Sequence, residues 1–170
     1  VTPFDDFVRD ADAVLIVGLT KAGALTEGTD RLSRLVKSGC HVRLAVLDKT
    51  TPSLYELVAP ATTHTAARFK GDYDRFEETI KTIRVGLSGE ENQRLEVRAY
   101  PFAPTAGVIL VYRGRSASAQ VYFYPYRTDP AERPTFELND GEGSEWLSFF
   151  REKYELLWRN VTETSPDPSL

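Results

Sequence analysis

Two apolar rhythms divide this chain near residue 90. Before it, apolar residues come either in unbroken runs or at helical spacing; after it, they mostly alternate with polar ones. Ala13-Val14-Leu15-Ile16-Val17 is a continuous run ending at Gly18, and Val42 to Leu47 is a second one, ending at Asp48. Runs without alternation belong to strands covered on both faces. Between them, Leu25, Leu32, Leu35 and Val36 fall inward and Asp30, Arg31, Arg34 and Lys37 outward, which predicts a helix from Leu25 to Ser38 capped by Gly39. A strand–helix–strand unit of this length requires a parallel crossover. Phe4, Phe7 and Val8 give a short first helix, and Thr51-Pro52 opens another that carries Leu54, Leu57 and Val58 and stops at Pro60.

A polar connector, Ala61-Thr62-Thr63-His64-Thr65, precedes the strongest periodic signal. Phe69, Tyr73, Phe76, Ile80, Ile83 and Leu87 form one helical stripe over residues 66–87, and Ser88-Gly89-Glu90-Glu91-Asn92 breaks it. Leu95, Val97 and Ala99 then alternate with polar neighbours. Gly107 to Tyr112 and Gln120 to Tyr126 read as a hairpin turning through Arg113-Gly114-Arg115-Ser116, and Pro134 to Leu138 as a short strand. Ser144 can cap a closing helix, Glu145 to Val161, with Trp146, Phe150, Leu157 and Val161 expected inside. The expected class is α/β: a mixed sheet with an N-terminal parallel strand–helix–strand unit, a long central helix, a C-terminal hairpin and a closing helix. Residues 1–161 form one domain and 162–170 a loose tail.

At 170 residues the chain can bury a real core. A net charge of −4 argues against general nucleic-acid binding, which favours basic surfaces. No apolar run approaches the roughly 18 residues of a membrane span. The single cysteine, Cys40, has no partner for a disulfide, which points to a reducing, cytoplasmic setting. The absence of methionine, even at position 1, is expected of a segment of a longer chain.

The order of these elements, with Ala13–Gly18, the Gly39-x-x-Val42-Arg43-x-x-x-Leu47-Asp48 strand and the Glu145–Trp158 helix, resembles one half of a phospholipase D-like domain. More narrowly it resembles small single-domain bacterial members. The resemblance spans about residues 5–160. It implies the fold, and for active members a second-half His-x-Lys-x4-Asp motif whose histidine attacks phosphorus. This chain has no histidine after His64, so the resemblance implies a degenerate member that binds rather than cuts. His41-x-Arg43-x4-Asp48 has a related spacing in an earlier strand.

Ligands of such sheets sit beyond the carboxyl ends of parallel strands, which nominates Gly18, Thr20 and Asp48. The tyrosine-rich stretch 120–127 adds Tyr124, Tyr126 and Arg127: a stacking face beside a guanidinium that can grip a phosphate or carboxylate. Arg43 is a further contributor. The leading expectation is a non-catalytic ligand-sensing or interaction domain of a bacterial regulatory protein, binding a small phosphorylated or nucleotide-like ligand. No cofactor or metal is expected, since two histidines and one cysteine lack paired ligand spacing. A homodimer or a neighbouring domain is the expected protein partner, with no membrane. The alternatives are a phosphodiesterase or nuclease using His41 or His64, and a dimerisation or scaffold domain.

Overall fold

The structure is a computed structural model that describes residues 1–19, 29–129, 132–141 and 144–163. A seven-stranded mixed sheet forms its middle layer, in the order β6-β5-β4-β1-β2-β3-β7. The strands are β1 (Ala13–Val17), β2 (His41–Leu47), β3 (Leu95–Tyr100), β4 (Ala106–Arg113), β5 (Ser116–Phe123), β6 (Thr135–Asn139) and β7 (Thr162–Glu163). The helices are α1 (Phe4–Phe7), α2 (Thr29–Lys37), α3 (Pro52–Val58), α4 (Ala66–Val85), α5 (Gly89–Asn92) and α6 (Ser144–Asn160).

β1 and β2 run parallel in the register Ala13↔His41 to Val17↔Ala45, as the two apolar runs require. β2 and β3 are also parallel. β4 returns antiparallel on the other side of β1 and continues into β5 and β6. The side-chain alternation of β1 feeds two cores. Val14 and Ile16 pack with Leu32 and Val36 of α2 and with Tyr73, Phe76, Ile80 and Ile83 of α4. Leu15 and Val17 pack with Leu54, Tyr55 and Val58 of α3 and with Leu147 and Trp158 of α6. Helices therefore cover both faces of a sheet whose inner strands are apolar on both sides.

The helix ends follow their local chemistry. Gly39 adopts φ +98, while its N–H bonds the Val36 carbonyl and that of Cys40 bonds Leu35, a Schellman closure of α2. The expected start of that helix at Leu25 lies outside the described residues. Thr65 caps α4 by accepting from the Arg68 N–H. Where the sequence suggested a plain break after Leu87, Ser88 and Glu91 instead make a reciprocal capping box that starts α5. Asn92 Nδ2 then donates to the carbonyls of Arg84, Leu87 and Ser88.

Three expectations need correction. β5 stops at Phe123, not Tyr126, because Pro125 has no N–H to continue a ladder. In α6, Leu147 is buried and Trp146 is 58% exposed. The helix carries so many apolar residues that two stripes satisfy its period, and only the docked sheet selects one. Thr162 and Glu163 are a short edge paired antiparallel to Ala99 and Arg98, so the sheet continues past residue 161; residues 164–170 lie outside the described residues. Among the described residues no helix is long and apolar enough to cross a membrane.

Candidate functional site

The crevice expected beyond β1 is filled from within. Three tyrosine hydroxyls converge on the backbone that leaves the strand. Tyr122 donates to the Val17 carbonyl at 3.0 Å, Tyr100 donates to that of Gly18 at 2.7 Å, and Tyr124 accepts from the Leu19 N–H at 3.3 Å. Burial pushes the phenols of Tyr100 and Tyr124 well above their ordinary range, so both stay neutral. Tyr122 fits because its cross-strand partner is Gly107: a Cβ there would lie 2.2 Å from the ring. Gly18 and Tyr124 are thus internal structure. Thr20 lies outside the described residues.

The other candidates separate. Arg43 forms a two-pronged pair with Glu155 of α6, at 2.8 and 2.6 Å, and Tyr112 donates to the same carboxylate at 2.6 Å. Burial alone would raise the Glu155 carboxyl, but the hydrogen bonds from Arg43 and Tyr112 outweigh it and hold it below its ordinary value. Trp158 lies between Arg43 and Arg98, at 5.6 and 4.3 Å from ring centre to guanidinium carbon. This cluster fastens α6 to the sheet and occupies the Arg43 guanidinium. Asp48 caps its own turn, accepting from the Thr50 N–H at 2.9 Å and the Thr50 hydroxyl at 2.7 Å. His41 stands exposed at the opposite end of β2, about 23 Å from Asp48 at the usual rise of an extended strand.

Tyr126, Arg127 and His64 do meet. They line an open groove of about 670 Å³ together with Glu56 and the threonines 63 and 65. One wall is the connector between α3 and α4; the other is the turn after β5. The Arg127 N–H bonds the Pro60 carbonyl at 2.9 Å and ties the walls together. Arg127 holds φ +50, a left-handed backbone that costs a non-glycine residue about 1 kcal/mol. Its guanidinium lies 5.6 Å from the centre of the Tyr126 ring, which is 73% exposed. His64 is fixed from behind: its Nδ1 lies 3.3 Å from the buried Asp72 carboxylate, which also pairs with Arg75, and its ring tilts against Phe69 at 5.8 Å. In the neutral imidazole this places the proton on Nδ1 and leaves Nε2 as an acceptor.

Sequence reading missed Glu56 in the groove, the Asp72 support and Arg133, whose guanidinium carbon lies 5.0 Å from the Tyr124 ring centre. Asp72 lies within the long helical stripe. Its position between Phe69 and Tyr73 was the available signal that a carboxylate turns inward. Among the described residues no three His, Cys, Asp or Glu side chains are grouped to hold a metal ion. Cys40 is buried, its thiol pushed up to about 11 first by burial and then by Asp12.

No family model matches this chain, and no curated protein matches it. Among solved structures it is similar to TrmBL2, an archaeal chromatin protein with a novel mode of DNA binding, at a TM-score of 0.53 and 12% identity. The likeness covers 94% of this chain and 48% of that one, so the chain spans about half the length of TrmBL2. It establishes a shared α/β fold and corrects one expectation. Net charge is a sum over the whole sequence and does not describe a local surface. A chain of this fold forms part of a DNA-binding protein, so the exclusion of general nucleic-acid binding drawn from a charge of −4 does not stand.

Proposed function

We propose that this chain is a ligand-sensing domain of a larger regulatory protein, with a degenerate phospholipase D-like fold, and that the groove of His64, Tyr126 and Arg127 takes a small phosphorylated or nucleotide-like molecule. One observation carries the reading. Two segments more than sixty residues apart in sequence bring an unpaired guanidinium, an exposed aromatic face and a braced imidazole to a single groove. Arg127 spends backbone strain on a guanidinium that makes no ion pair or side-chain hydrogen bond among the described residues, and strain of this kind concentrates at ligand sites. The likeness to half of a DNA-binding chromatin protein supports a place within a larger regulatory protein. Calorimetric titration with ethyl phosphate, pyrophosphate and adenosine monophosphate tests the reading. At least one is expected to bind the native chain and to weaken about tenfold or more in Arg127→Asn. Binding that Arg127→Asn leaves unchanged would refute the site.

The enzyme reading has a specific observation of its own. His64 Nδ1 lies 3.3 Å from the Asp72 carboxylate, and an imidazole oriented by a carboxylate in this way is the arrangement a general base needs. Turnover of a generic phosphodiester that disappears in His64→Ala would establish it. The non-catalytic reading expects no turnover by either protein.

A further inference from the structure

We infer that the occupant of this groove is zwitterionic, with a cationic amine held by Glu56 and a phosphate held by Arg127; the inference rests on the phosphate-binding reading above. Glu56, on α3, and Arg127, on the turn after β5, are opposite charges lining one groove. Neither makes an ion pair or a side-chain hydrogen bond with any described residue. Elsewhere on the surface, charges that come near one another close into pairs, as Lys49 does with Glu77 at 2.5 Å and Arg31 with Asp5 at 3.0 Å. A groove that keeps its two charges apart suits a molecule carrying the complementary two.

The Glu56 carboxylate opposes a bare phosphate and favours one with an ammonium nearby. The chemical class is an ammonium a few bonds from a phosphate ester, with Tyr126 covering the link between them.

A matched pair of probes tests this: ethyl phosphate and O-phosphoethanolamine, which differ by the ammonium. Calorimetric titration of the native chain is expected to favour phosphoethanolamine by about tenfold, the worth of one charge-assisted hydrogen bond. In Glu56→Gln the preference should fall to near unity, with ethyl phosphate bound at least as well as before. Equal affinity of the native chain for the two probes overturns the zwitterion and leaves the phosphate site standing. So does a preference that survives Glu56→Gln. Failure of both probes to bind overturns the phosphate reading beneath it. Glycerophosphoethanolamine, a diester like a lipid headgroup, distinguishes sources of the same chemistry. Tighter binding of the monoester identifies a free metabolite, tighter binding of the diester a headgroup, and either supports the charge pattern.

Discussion

Gly107→Ala is expected to destabilise the fold through a single clash. The new methyl would meet Cε2 and Cζ of Tyr122 at 2.2 Å and its hydroxyl oxygen at 2.5 Å, where ordinary contact begins at 3.4 Å. The ring must therefore retreat by at least about 1 Å, an overpacking that costs about 1–3 kcal/mol. Its retreat also draws the hydroxyl off the Val17 carbonyl, a bond of 3.0 Å, at a net cost of about 1 kcal/mol. Alanine in a strand gains back about 0.5–1 kcal/mol over glycine. Tyr122 is only partly buried and can swing outward, so the balance falls at the lower end, about 1–2 kcal/mol. Urea unfolding reads this as a midpoint lowered by about 0.5–1 M at an unchanged slope. Tyr122→Leu placed in the Gly107→Ala background removes the clashing ring and should recover part of the loss. A Gly107→Ala protein as stable as the native chain would show that the ring does not rely on the bare backbone beneath it, and the account of a tyrosine-filled crevice would fail with it.

Glu155→Gln leaves Arg43 largely buried without its counter-charge and should cost about 2 kcal/mol, less than a fully buried pair because both side chains keep some solvent. Glu155 ionises more readily folded than unfolded, so its contribution is present above the ordinary carboxylate value and is lost as pH falls through the lower folded value. The stability gap between native and Glu155→Gln chains should accordingly close on acidification below about pH 4, and a gap that widened there would contradict the pairing. At position 127, asparagine tolerates a left-handed backbone and valine does not, so Arg127→Asn should keep native stability while Arg127→Val loses about 1–2 kcal/mol in the same urea assay. Cys40, buried and with its thiol raised to about 11, should react with Ellman's reagent only at the rate of unfolding. Rapid modification of the native chain would place the thiol at the surface.

What the sequence determined by itself is local or periodic. Unbroken runs at residues 13–17 and 42–47 can only be strands covered twice, and the spacing from Phe69 to Leu87 has one helical solution. Gly39, Pro52 and Gly114 mark their turns by the backbone angles they permit or supply. Tyr126 and Arg127 were legible as candidates because the tyrosine-rich stretch 120–127 ends on an arginine, and His64 only as one of the two histidines open to the enzyme alternative. Their meeting was not legible, since it depends on the Arg127 N–H reaching the Pro60 carbonyl across 67 positions of chain. Tertiary packing alone decided that Arg43 belongs to Glu155, 112 positions away, that three tyrosines close the end of β1, and which apolar stripe of α6 faces the sheet. Periodicity names the faces an element can bury. Only the partner surface, with its finite room for side chains and its own unpaired polar groups, selects among them.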